Sequence, residues 1–228
     1  MRNCSVCINT YKRPVLLAKT LESLNRQELG DDIALEVVVV DNDAGGSAAK
    51  TVSQISSSSR IEVRYLCEPQ KNISMARNRA VRSATGDFLL FMDDDEVADR
   101  LWVATMLETI DRFGADGAFG RVVPDFHDQT PEWMKRNPTF QRRCPPTGSP
   151  MDSGRTGNAI VRAELLRDLD PVFDPLYGTT GGEDADLFRR LVAKGARFVS
   201  CYEGVVWEHV PPERTTTTWL VNRARRTG

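Results

Sequence analysis

Histidine and cysteine are scarce in this chain, at 2 and 5 of 228 residues, and neither sign of charge dominates. Five cysteines without a framework spacing exclude a disulfide scaffold. Cys4 and Cys7 have C-x-x-C spacing but fall in an extended run, where residues three apart face opposite sides. Both are therefore expected as buried thiols, not as a redox or zinc pair, and a reducing cytosol is the expected compartment. A formal net charge of −2 offers no electrostatic footprint for nucleic acid. No run approaches the ~18 apolar residues of a membrane-spanning helix, and the first residues lack a signal-peptide apolar core. The chain is expected not to cross a membrane.

What is present is an alternation of strand and helix patterns. Cys4–Ile8 reads as a buried strand. Pro14–Gln27 carries helical apolar spacing at Val15, Leu16, Leu21 and Leu24, with proline near its start. Leu35–Val40 is a β-branched run of the kind buried on both faces. A helix near Ala48–Ile55, a strand at Ile61–Leu66, a helix at Ser74–Ala84, a strand at Phe88–Met92 and a helix from about Ala98 to Phe113 follow. Repeated β-α units predict one α/β domain with a mostly parallel twisted sheet and helices on both faces. Beyond it, Asp125–Ser153 is rich in proline and polar residues and reads as a long loop, which in compact domains is usually functional. Gly157–Val161 is expected as a strand, Ala185–Ala193 as a helix, and Ala196–Cys201 and Val205–Glu208 as two strands.

The most informative stretch is Phe88–Glu96, an apolar strand running into Asp93-Asp94-Asp95-Glu96. Adjacent carboxylates are costly inside a protein unless a positive group neutralises them. At the carboxyl end of a buried strand that group is commonly a ligand or a metal. Alternation along an extended backbone would point Asp93 and Asp95 one way and Asp94 the other. Two same-facing carboxylates suit a hard divalent cation that also holds phosphate oxygens. The alternative is a solvated acidic turn, or a helix capped by Asp95.

Four other segments join this one: Thr10-Tyr11-Lys12-Arg13-Pro14, Val39-Val40-Asp41-Asn42, Asn72 with Ala76-Arg77-Asn78, and Gly181-Gly182-Glu183-Asp184-Ala185-Asp186-Leu187. Taken in this order and spacing, from about Cys4 to His209, the chain resembles glycosyltransferase family 2, and within it the succinoglycan-type exopolysaccharide glucosyltransferases. That resemblance implies a GT-A fold over residues 1–213, with a nucleotide-binding half at about 1–97 and an acceptor half at about 98–213, followed by a basic segment, 214–228. It further implies a UDP-sugar donor, Mn²⁺ or Mg²⁺, and inverting transfer of a hexose, glucose by likeness, to a glycan or lipid-diphosphate-linked oligosaccharide.

Roles follow from the same resemblance, each beside a plainer reading. Asp41 would accept the uracil N3–H, or close an Asx turn. Thr10 and Arg13 sit at the first strand's exit, where a phosphate would also meet helix amides; Arg13 could instead be a solvated charge. Asn72 and Arg77 would reach uracil or diphosphate. Asp93 would contact ribose or sugar, with Asp94 beside it in the donor site yet facing away. Asp95 would hold the metal together with His209, and an imidazole ligand would tilt preference toward Mn²⁺. Asp184 would be the general base, with Glu183 as acceptor contact or runner-up, unless Asp184 only caps its helix. Trp133 could stack on an acceptor; Trp102 and Trp207 are expected to be buried packing residues.

Two other functions compete. A sugar nucleotidyltransferase also uses paired aspartates, but no Gly-x-Gly-x-x-Gly loop follows the first strand, where Thr10–Pro14 stands instead. A non-catalytic nucleotide-sugar-binding domain would not require Glu183-Asp184. The segment Trp219–Arg226 is basic and amphipathic, and reads either as a solvated helix or as a peripheral contact with the inner face of the plasma membrane.

Overall fold

The computed structural model describes residues 1–227, so Gly228 of the basic segment lies outside the described residues. In chain order the elements are β1 (Arg2–Thr10), α1 (Pro14–Asn25), β2 (Ile33–Asp41), α2 (Ala49–Ser56), β3 (Glu62–Cys67), α3 (Ile73–Ser83), β4 (Phe88–Asp93), β5 (Glu96–Ala98) and α4 (Trp102–Phe113). They continue with β6 (Gly117–Phe126), α5 (Glu132–Lys135), β7 (Pro150–Met151), β8 (Asn158–Arg162), α6 (Glu164–Arg167), α7 (Glu183–Ala193), β9 (Phe198–Val210) and α8 (Thr217–Thr227).

One sheet runs in the order β3-β2-β1-β4-β8-β6-β9-β5, with β7 also pairing β9. The half β3-β2-β1-β4 is parallel throughout. Strand β8 runs antiparallel to both neighbours, and β5 and β7 antiparallel to β9. The sheet is thus mixed, with most strands in one direction, as expected. Val37 and Val39 face one core and Val38 and Val40 the other, which is why the run Val37–Val40 is apolar at every position. On the first face α1, α2 and α4 bury Leu17, Leu21, Val52, Trp102 and Met106. On the second, α3, α6 and α7 bury Ala76, Ala80, Leu166, Leu187 and Phe188. Cys4 and Cys7 divide between these cores as free thiols, and burial pushes both up to about 12.

Several sequence expectations are corrected. The helix expected from Ala98 starts at Trp102, because Glu96–Ala98 pairs with Val206–Glu208 and forms β5. The two strands expected near the end are one, β9, whose pairing with β6 shifts register between Gly120 and Arg121. Trp207 is 37% exposed rather than buried, whereas Trp102 is fully buried and donates its indole N–H to Asn158 Oδ1 at 2.9 Å. Finally, α8 packs part of its apolar side on the domain, while Val221 stays 47% exposed. Trp219 stacks on Phe140 at 5.7 Å, and both join Phe126, Met134, Val210 and Leu220 in a small core. That packing leaves Trp219 and Leu220 partly buried.

Candidate active site

Strand β1 lies between β2 and β4, so the connections of its neighbours leave in opposite directions and open a crevice at the strands' carboxyl ends. A cavity of about 770 Å³ fills that crevice, lined by Asn9, Thr10 and Tyr11 from the end of β1, Asn42 after β2, Asn72 and Arg77 of α3, and Asp93, Asp94 and Asp95.

The aspartates are not arranged as strand alternation predicts. Strand β4 ends at Asp93, and Asp94 and Asp95 belong to the turn into β5. The turn brings all three to the cavity, so Asp94 does not face away. One Arg13 nitrogen sits 3.1 Å from Asp94 and 3.0 Å from Asp95, while Thr10 Oγ1 donates to Asp94 at 2.7 Å. Burial pushes Asp94 up to about 6, opposed by the Thr10 hydrogen bond and Arg13. Asp93 is also raised, by burial first, against the pull of Arg77, with Asp95 and Asp184 adding to the rise.

A raised carboxylate weakens the ligand-free fold as pH rises through the range between its unfolded and folded values. Asp94→Asn cannot ionise, so its stability relative to wild type should increase by roughly 1–3 kcal/mol between about pH 4 and pH 7. Urea unfolding of both proteins in EDTA at the two pH values checks this; a constant difference would overturn it.

Arg77 is buried in α3, paired with Glu183 at the start of α7, and 3.7 Å from Asp93. It therefore couples the aspartate turn to the second half of the chain. Helix α7 begins as expected, with Gly182 as its N-cap in the left-handed region at φ 100° and no side-chain cap. Asp184 is consequently not the cap; among the described residues its Oδ1 accepts only from the next residue's amide, Ala185 N, at 2.7 Å. Leu187, Phe188 and Leu191 are buried on the helix's other side.

Three expected contacts are placed differently. Asp41 is fully buried, and its carboxylate accepts from Ala48 N at 2.7 Å, Asp43 N at 3.1 Å and the Tyr65 hydroxyl at 3.1 Å. It closes the turn after β2 and is not on the cavity wall. Asn72 does line the cavity, but it caps α3 by accepting from Met75 N at 3.1 Å and donates to Pro175 O at 3.0 Å. Gly178 permits that approach, since a Cβ there would overlap the Asn72 side chain. His209 meets Asp95 only through its backbone, His209 N donating to Asp95 O at 2.8 Å. Glu208 is the β9 residue on the cavity wall, and alternation along the strand points its neighbour His209 to the other side.

Sequence reasoning missed Glu208 and Arg142, which pair at 2.6 Å across 66 positions at the cavity edge. Burial raises Glu208, and it raises the neighbouring Glu96 well above the usual carboxylate range. Glu96 Oε2 accepts from Asp93 N at 2.9 Å, but Oε1 has no hydrogen-bond partner among the described residues. Gly157 leaves room here, its Cβ position lying 3.1 Å from Glu96 Oε1 and 3.2 Å from Asp93 Oδ2. Only the acidic run itself could have flagged Glu96.

A metal implied by this kind of site can be tested against these residues. Asp93 and Asp95 supply hard oxygens on the wall, and among the described residues no three His, Cys, Asp or Glu side chains form a ready-made cage. That fits a hard cation bound mostly through a ligand's own phosphates, with carboxylate oxygens and no imidazole.

The crevice lies at the switch point of an α/β sheet, the usual ligand site of such folds, and is walled by aspartates and arginines. Comparison with known proteins gives the class: the sequence model of glycosyl transferase family 2 matches residues 5–169, and the chain belongs to that family. It is 36% identical over 220 residues to the succinoglycan biosynthesis protein ExoM of Rhizobium meliloti, covering 96% of this chain and 71% of that protein. It is 27% identical to the poly(ribitol-phosphate) beta-N-acetylglucosaminyltransferase TarS of Staphylococcus aureus, over 76% of this chain but only 30% of TarS. Among solved structures, the Pyrobaculum calidifontis mannosyltransferase PcManGT in complex with GDP-Man and Mn²⁺ shares the GT-A fold at a TM-score of 0.73 and 21% identity, covering 98% of this chain and 61% of that one. TarS residues 1–349 in complex with UDP-GlcNAc superimpose at a TM-score of 0.66 and 21% identity, over 92% of this chain and 59% of that one.

Proposed function

We propose that this glycosyltransferase moves a hexose, glucose being the first candidate, from a UDP-sugar to a glycan or lipid-diphosphate-linked oligosaccharide, with inversion, in cell-surface polysaccharide synthesis. The observation that carries the reading is the aspartate turn, paired with Arg13 and Arg77 on the wall of a cavity at the switch point. The likeness to the succinoglycan biosynthesis protein ExoM supports a role in polysaccharide synthesis. A lipid-linked acceptor would place the work at the inner face of the plasma membrane.

In this scheme Tyr11, partly exposed at the cavity mouth with the Lys71 ammonium 4.8 Å from its ring centre, offers a face for the base. The uncapped start of α1 and the Arg13 guanidinium face the diphosphate. Asp93 and Asp95 would hold Mg²⁺ or Mn²⁺, which when bound neutralises diphosphate charge. Asp184 takes the acceptor hydroxyl's proton as that oxygen attacks the anomeric carbon and the bond to diphosphate breaks. Because no imidazole reaches the cavity, Mn²⁺ holds no ligand advantage over Mg²⁺.

Calorimetry with UDP, in Mg²⁺ or Mn²⁺ and then in EDTA, tests the donor site. Binding is expected with either cation and largely lost in EDTA; undiminished binding in EDTA would remove the metal, and no binding at all would remove the UDP donor. Slow hydrolysis of UDP-glucose, UDP-galactose and UDP-N-acetylglucosamine, compared side by side, ranks the sugars, and the anomer released reports inversion.

A further inference from the structure

Beside the donor cavity lies a second cleft of about 530 Å³, and it is cationic. Its lining includes Arg142, Arg143, Arg155 and Arg189, with no aspartate or glutamate. Arg142 pairs with Glu208. The side chains of Arg143, Arg155 and Arg189 have no ion pair and no hydrogen bond among the described residues, unlike most of the arginines around the aspartate turn. Arg143, Arg155 and Arg189 are exposed along this one concave surface, and their planar forks suit phosphate or carboxylate.

The position of the cleft gives this charge a use. Helix α7 presents Ala185 and Arg189, four residues apart on one face, to the cleft, and Ala185 directly follows Asp184. Asn158, next to Gly157 and hence to Asp93, lines the same cleft. Arg142 sits at the junction, its Nη1 3.5 Å from the Cβ position of Gly157. An acceptor with its hydroxyl at Asp184 would therefore extend into the arginine cleft.

We infer that this cleft is an acceptor subsite for an anionic group, phosphate or carboxylate, carried by the acceptor within about a sugar's length of the hydroxyl that is glycosylated. The inference rests on the transferase reading and adds the charge of the acceptor to it. Arg143 comes from the long loop, Arg155 from the segment before β8 and Arg189 from α7, so three separate parts of the chain contribute.

The test uses the full chain saturated with UDP and Mg²⁺, so that the donor cavity is filled, and titrates inorganic phosphate and glucuronate separately by calorimetry. Wild type is expected to bind at least one, more weakly as salt rises. Arg143→Gln/Arg189→Gln should weaken that binding at least tenfold while leaving UDP affinity within about twofold. Preference for phosphate points to a phosphate-bearing carrier or glycan, and preference for glucuronate to an acidic sugar. Normal UDP binding with neither anion bound, or with anion binding unchanged in the double variant, overturns the subsite. Failure of UDP itself to bind the wild type would instead overturn the transferase reading.

Discussion

Asp184→Asn is expected to lower sugar transfer by about 10²–10⁴-fold, the range for losing a positioned general base. UDP affinity in the presence of Mg²⁺ should stay within about twofold. The structure sharpens this expectation, because the helix it opens is capped at Gly182 without a side chain, and Asp184 accepts from Ala185 N. The amide of asparagine can still accept that bond, so helix stability should change little. Transfer and UDP binding measured on the same preparation give a clear reading. Near-wild-type transfer would take the base role from Asp184 and give it to Glu183. Equal losses in transfer and UDP affinity would mean a disrupted site instead of a missing base.

Arg77→Ala should have the largest effect on folding. Arg77 and Glu183 are both buried, and Glu183 Oε2 already lacks a partner. Removing the arginine strands a buried carboxylate, which typically costs about 3–5 kcal/mol. For a domain of this size that corresponds to roughly 6–20 °C in melting temperature. It also removes the positive charge that holds Asp93 down, so ionised Asp93 should become harder to maintain and donor binding should weaken. Urea unfolding measures the first effect and UDP calorimetry the second. Arg77→Ala/Glu183→Gln should recover part of the lost stability, because no charge is then left unpaired. A loss below ~1 kcal/mol for Arg77→Ala, typical of an exposed pair, would show that the Arg77–Glu183 pair is not a structural tie between the two halves.

The double readout matters because Arg77 joins parts of the site that differ in origin. The aspartate turn belongs to the half of the sheet built from parallel β-α units, and Glu183-Asp184 to the later half. One buried guanidinium touches both. Stability and donor binding are therefore expected to fall together at Arg77, whereas Asp184→Asn should affect transfer alone. That contrast separates a positioning residue from one that touches the reacting atoms.

By itself the sequence determined what depends on backbone periodicity and local chemistry. The β-branched run Leu35–Val40 could only be a strand buried on both faces, and the apolar spacing of Leu187, Phe188 and Leu191 behind Gly181-Gly182 marked a helix and its start. The acidic run at the end of β4 and Arg13 at the start of α1 could be recognised because charged groups at strand exits are costly without a ligand. Only the tertiary structure decided which way side chains turn once a strand has ended. Alternation stops at Asp93, so Asp94 joined the wall it was expected to leave, and pairing with β5 placed Glu208 instead of His209 on the cavity side. Asp41 kept its place at the strand end, but backbone amides and Tyr65 had already filled its oxygens. Contacts between distant segments, such as Arg142 with Glu208 and Trp219 on Phe140, and the gathering of Arg143, Arg155 and Arg189 at one cleft, leave no periodic trace. They arise from packing across the sheet, where position in space, not spacing along the chain, sets which groups meet.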